Sequence, residues 1–376
     1  MLLLSWMIDP KPIDDHVNAR NWAAYYNVVV DPGCFNAISE RAALLTKTSS
    51  TLSEWENSDF GQLLRVTDVR TLTQVREFWI KYSDMAKLSS RKFKEIRERF
   101  MHAFRQIRKE KVPGISVSGL RAVGAPFMNA MESVGEEYNR FWETGIIGGL
   151  PEFTQMATHI NPLFVCSKLG GDQCVIHYGT DPILGFHCAP AFAETIGSPC
   201  LPKSPNPSIR TSRLDENVHR LSRTAVVEFK AWCVSFQSVA TRSGLEQTSL
   251  AIYHFCGDAV KFCYSLLSAM GKLDTAANLF DTLAAPWNPP LSTSPNAEFV
   301  RQYDVIDTSN LGDHMELLNV LTCTLPVLKS SASSVLYTES LVRCNTQGSS
   351  HFERLRSLLC GDHASIFCLL RAAPME

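Results

Sequence analysis

The sequence predicts a helix-rich α/β protein with a parallel strand pair near its C-terminus. Three observations carry that expectation. Tyr303 to Ser340 reads as strand, helix and strand within one short stretch. Several longer stretches, the clearest from Ser89 to Lys111, repeat apolar residues with helical period. Between them, Asn161 to Ala193 is rich in strand and turn residues.

Tyr303-Asp-Val-Ile306 is a short run with β-branched residues, ended by the turn cluster Asp307-Thr-Ser-Asn310. Such a run reads as a strand buried on both faces. Leu311, Met315, Leu318, Leu321 and Leu325 then fall on one side of a single helix, and Ser309, Asn310 or Asp313 can cap its first N–H groups. Pro326 and Lys329-Ser330-Ser331 end that helix, and Ser334 to Thr338 is the second strand. A unit of this length implies a parallel pair with a right-handed crossover. In open α/β sheets ligands sit outside the carboxyl ends of the strands, where Asp307, Asn310 and Glu339 fall. These three are the candidate cofactor contacts. The plainer alternative is that Asp307 and Asn310 cap the helix and Glu339 is solvated.

The whole chain of 376 residues supports two or three domains. At 45% hydrophobic, 20% charged and a net charge of −2, it has the composition of a soluble globular protein, and its near-neutral charge gives no whole-chain argument for nucleic acid or membranes. Twelve cysteines include no C-x-x-C pair, and Met1 to Ile8, closed by Asp9-Pro10, is too short for a signal peptide. No run approaches the roughly 18 to 20 apolar residues of a membrane span. Reduced, buried thiols in a cytoplasmic or nuclear protein are expected.

In chain order, Asp14 to Asp31 reads as a helix packed through Val17, Trp22, Tyr25, Tyr26 and Val29, and stopped by Asp31-Pro32-Gly33. Asn36 to Leu52 is a second helix, followed by Trp55 and a turn from Asn57 to Gly61. Thr71 to Tyr82 is a third, with Leu72, Val75 and Trp79 on one face. From Ser89 to Lys111, Phe93, Ile96, Phe100, Phe104 and Ile107 form a stripe, while basic residues including Arg97, Arg105 and Arg108 crowd the remainder. That pattern fits an acidic partner, RNA or a membrane surface, or simply a solvated helix face. Glu95, Glu98 and Glu110 dilute the charge, which favours the solvated face. Ser118 to Trp142 is again helical in texture.

Leu163 to Cys166 and Cys174 to Tyr178 read as a hairpin turning at Gly170-Gly171. Cys166, Cys174, His177, His187, Cys188 and Cys200 have a metal-site composition, but only Cys174-x-x-His177 approaches ligand spacing, so zinc is not expected. Proline-rich Ser198 to Ser208 is the best domain boundary. Arg213 to Met270 returns to helix, with Phe229, Trp232, Tyr253, Cys256, Val260 and Cys263 read as core; Asp274 to Ala285 and Phe352 to Leu359 are further helices. The expected segments are a helical part at 1–85, a basic helix with a strand- and turn-rich part at 86–200, a helical part at 209–285, and the strand–helix–strand unit with a C-terminal helix at 296–376. No G-x-S-x-G elbow, Walker A loop, H-E-x-x-H or kinase signature is present, so no catalytic residue is selected.

Three stretches carry a resemblance to a known family. They are Trp22 to Tyr82, through Ser53-x-Trp55, Phe60-Gly61, Thr71-Leu72 and Trp79-x-x-Tyr82; His177 to His187, with Gly179, Asp181, Pro182 and Gly185; and Tyr303 to His314 with Leu336 to Ser340. Together they resemble the fungal domain of unknown function DUF4470, often joined to a MYND-type zinc finger and similar to the N-terminal domain of dynein axonemal assembly factors. The resemblance implies a partial methyltransferase-like (Rossmann-type) parallel sheet, to which Tyr303 to Thr338 would supply the fourth and fifth strands. The family's first strand with its glycine-rich turn, the acid after its second strand and the MYND cysteines have no counterpart here, so a fragment of limited solubility is expected. Two functions follow as expectations. One is a non-catalytic interaction or assembly scaffold with protein partners, binding neither nucleic acid nor membrane. The other is an S-adenosylmethionine-dependent methyltransferase whose cofactor motif precedes Met1.

Overall fold

The computed structural model describes residues 1–9, 11–110, 141, 143–147, 156–167, 174–176, 225–241, 250–270, 302–308, 311–338 and 351–372. The chain divides into two units, Met1–Tyr253 and His254–Glu376. Helices dominate both, and the described strands form small two-stranded sheets, so the class is mixed α/β.

In the first unit, side-chain caps set where helices begin. Asp14 accepts from the Val17 N–H at 2.7 Å and starts α2, Asp15–Tyr26, after a short α1, Leu2–Ile8. Asp31-Pro32-Gly33, expected to stop a helix, starts one instead. Asp31 accepts from the Cys34 N–H at 3.0 Å and Pro32 occupies the first turn of α3, Pro32–Lys47. Proline suits that position because its missing N–H has no partner there anyway. Val29, expected on the packed side of a helix, belongs to β1, Val29–Val30, where three consecutive valines favour extended backbone. Trp55 lies within a short helix, α4 (Leu52–Glu56), and a second short helix, α5 (Asp59–Leu63), overlaps the turn expected after it. They are followed by β2 (Leu64–Val66), α6 (Val69–Met85) and α7 (Ser90–Glu110).

Two apolar clusters fill this unit. One gathers Trp22, Tyr26, Phe100, Phe141, Ile160 and Phe164 with Phe229 of α8, residues 225–241. The other packs α3 along α6 and buries Trp6, Ile38, Leu45, Trp55, Phe60 and Trp79. Trp55 is fully buried and donates its Nε1–H to the Leu64 carbonyl at 2.9 Å. Gly61 is required beneath it, since a Cβ there would lie 1.8 Å from the Trp55 carbonyl oxygen.

β1 pairs antiparallel with β3 (His159–Ile160), and Asn161 beyond it is fully buried. Its amide donates to the carbonyls of Ala24 at 2.9 Å and Asn27 at 2.8 Å, and its Oδ1 accepts from the Leu163 N–H at 3.0 Å. Asn27 in turn accepts from the Ile147 N–H at 3.0 Å. Gly145, at φ +75°, receives the Val28 and Val29 N–H groups on its carbonyl at 2.7 and 3.2 Å. The expected hairpin forms as β4 (Val165–Ser167) antiparallel to β5 (Cys174–Ile176), while Gly170-Gly171 lies outside the described residues. The proline-rich boundary and the expected helices at 118–142 and 274–285 fall wholly or mainly outside them too. Where a continuous helix was expected through Tyr253, Ile252–His254 forms a strand, β6.

The second unit continues with α9, Ala259–Ala269. Its strand–helix–strand element is present: β7 (Val305–Asp307) runs parallel to β8 (Val335–Tyr337), with Val305 opposite Val335, Ile306 opposite Leu336 and Asp307 opposite Tyr337. Two expectations are corrected. β7 is not buried on both faces: Val305 and Tyr337 are 56% and 55% exposed, whereas Ile306 packs against Leu266, Leu267 and Val327. Burial on both faces needs a covering layer on each, and the described residues supply one. The crossover is also not a single helix. It breaks at Glu316, whose φ of 67° interrupts α10 (Leu311–Met315) before α11 (Leu317–Thr324). The break rotates the register, so that Leu317, Val320 and Leu321 are buried rather than Leu318. Leu317 and Leu321 meet Leu355, Leu358 and Leu359 at the end of α12 (His351–Leu358), and Ile366, Phe367 and Leu370 of α13 (His363–Leu370).

Asn161→Ala strands two buried carbonyls and should cost the first unit about 2 kcal/mol in urea unfolding. Glu316→Gly relieves a backbone conformation essentially confined to glycine and should stabilise the second unit by about 1 kcal/mol. A neutral outcome in either case would contradict the corresponding account.

Candidate functional site

Of the candidate cofactor contacts, Asp307 alone is described. It is the last residue of β7, exposed at the strand's carboxyl end. Asn310 and Glu339 lie outside the described residues, as do His177, Gly179, Asp181, Pro182, Gly185 and His187. Of the cysteines considered for zinc, Cys166 and Cys174 sit on the facing strands β4 and β5, opposite Val175 and Ser167 respectively. Cys188 and Cys200 lie outside the described residues. Among the described residues no three His, Cys, Asp or Glu side chains gather as a metal site.

Asp307 borders a cavity of about 300 Å³ in the second unit. Phe262, Cys263 and Leu266 of α9 form one wall, Tyr303, Ile306 and Thr308 another, and Met315, Val320, Cys323 and Val327 a third. Thr308 donates its backbone N–H to the Tyr337 carbonyl at 3.0 Å and its hydroxyl to the same oxygen at 3.3 Å, which fixes the chain immediately beyond Asp307. The volume is at the small end for ligand pockets, and the lining is apolar apart from Asp307, the threonines, the Tyr303 hydroxyl and the two thiols.

Those thiols are the chemically distinctive part of the cavity. Cys323, nearly buried on α11, directs its Sγ–H to the Val320 carbonyl at 3.3 Å. Cys263 of α9 lines the same cavity; its interaction with Cys323, together with burial, pushes the Cys263 thiol up, while the interaction with Cys263 pulls the Cys323 thiol down against its own burial. Burial, and then the neighbouring Cys263, also raises the Tyr303 hydroxyl. Sequence reasoning missed this pair. Cys263 reads as core from its helical spacing, and nothing local links it to Cys323. Elsewhere, burial dominates: Cys34, with Asp31 adding to it, and Cys233 are each pushed up to about 12.

On the basic helix α7, Arg91 pairs with Glu95 at 3.2 Å and Lys94 approaches Glu98 at 3.9 Å. Both pairs are largely exposed, so they add little stability. Phe100 is fully buried below them. For Arg105, Arg108 and Lys109 the backbone alone is described. No described helix is long and apolar enough to cross a membrane.

Comparison with family models, with curated proteins and with solved structures finds no match for this chain.

The buried thiols imply an alkaline limit. Cys34 ionises near 9 when unfolded and near 12 when folded. A raised folded value means that its contribution is fully present below pH 9 and is lost as pH rises towards 12. The urea midpoint of the wild-type protein should therefore fall above pH 9, and more steeply than that of Cys34→Ala. Parallel pH profiles would refute the assignment.

Proposed function

We propose that this chain is a non-catalytic protein-interaction or assembly scaffold on a methyltransferase-like fold, of the fungal family it resembles in sequence, with other proteins as its partners. The observation that carries the reading is the one-sided parallel strand pair. Ile306 and Leu336 face packed residues, while Val305 and Tyr337 present β-branched and aromatic surface to solvent. A parallel sheet is ordinarily covered on both faces, and an exposed apolar strand face is surface that another protein layer can cover. The basic helix supports the same preference, because Glu95 and Glu98 pair with Arg91 and Lys94 within it.

A second reading, an S-adenosylmethionine-dependent methyltransferase, is favoured by one feature. Asp307 stands at the carboxyl end of β7 beside the cavity, at the sheet edge where open α/β folds hold ligands. The apolar lining offers little to the charged carboxylate and amine of that cofactor, and this ranks the reading second.

Calorimetric titration of S-adenosylmethionine into the full chain separates the two. No saturable heat is expected, and a photoreactive side chain placed at Tyr337 should cross-link to protein in extracts of the source cells, where one placed at exposed Glu353 should not. Saturable cofactor binding would overturn the scaffold reading in favour of the enzyme.

A further inference from the structure

The scaffold reading makes no use of the two thiols that meet in the cavity. They come from helices α9 and α11, face each other, and both line the cavity beneath β7. Neither is cross-linked, and their surroundings are apolar: Phe262, Leu266, Val320 and Val327. The cavity gives a small oxidant a path to sulfur, while its size excludes bulky thiols that would compete for an oxidised intermediate. We propose that Cys263 and Cys323 are a hydroperoxide-reactive dithiol that closes into a reversible disulfide across this cavity.

The shared cavity brings the two thiols together. The Cys323 thiol, pulled down by its neighbour Cys263, supplies the thiolate, and the thiolate is the nucleophile. Cys263, pushed up by the same neighbour and by burial, keeps its proton and acts second. In the first step the Cys323 sulfur attacks one oxygen of the hydroperoxide. The O–O bond breaks, an alcohol or water leaves after taking up a proton, and Cys323 is oxidised by two electrons to the sulfenic acid. In the second step the Cys263 sulfur attacks that sulfenic acid and loses its proton; the S–S bond forms and water departs. Contact with Cys263 makes this second step intramolecular, so it outruns further oxidation of Cys323. An external dithiol reverses the bond by two exchange steps and is itself oxidised to a disulfide.

The test uses the full chain treated with hydrogen peroxide, quenched in acid, unfolded in urea and alkylated. Exposed Cys256, Cys360 and Cys368 serve as internal references. Cys263 and Cys323 should lose alkylation together, non-reducing digestion should yield their two peptides joined, and dithiothreitol should restore both. Cys263→Ser should leave Cys323 as a sulfenic acid that dimedone traps; should that variant not fold, the wild-type measurement decides alone. The proposal is overturned if both thiols remain alkylated after the reference thiols are oxidised. Either one pairing elsewhere, or modification that dithiothreitol does not reverse, overturns it equally.

Discussion

A buried amide holds the first unit together. Helix α2 and strand β1 end in backbone groups that water does not reach, and each must find a partner or cost about as much as a lost hydrogen bond. Asn161 supplies two of those partners from a distant part of the chain, and the Asn27 side chain beside them accepts the Ile147 N–H. Once they are in place, the register of β1 against β3 is set, Gly145 accepts the valine N–H groups, and Trp22 donates to the Ile147 carbonyl at 3.2 Å. The aromatic cluster of Trp22, Tyr26 and Phe229 closes around that polar knot.

In the second unit, the corresponding constraint is the helix break at Glu316. It turns α11 so that Leu317 and Leu321 face the C-terminal helices while Val320 and Cys323 face the cavity. An unbroken helix would keep the stripe of Leu311, Met315 and Leu318 in register and present a different set of residues to β7. The cavity, and the meeting of two thiols within it, is thus a consequence of one residue in an unfavourable backbone conformation.

Local chemistry made one helix start legible, that at Asp14. Asp31, Thr51, Ser58 and Asp68 cap helices in the same way, but their starts were not expected at those positions. The same chemistry misled at Asp31-Pro32-Gly33, because a stop signal and an N-terminal signal share residues. Val29 fits a helical face and a strand equally well, and only its pairing with Ile160 decides between them. Of the candidate site, Asp307 was placed correctly at a strand end, whereas the thiol pair left no local trace.

By itself, the sequence determined the helix-rich α/β class, the strand–helix–strand element and its parallel direction. Those depend on period, capping and loop length, which are properties of neighbouring residues. Only the tertiary structure decided which face of β7 is covered, where the crossover breaks, and that Cys263 meets Cys323. Each of these depends on what a distant segment presents across a packed interface, and no short stretch of sequence carries that information.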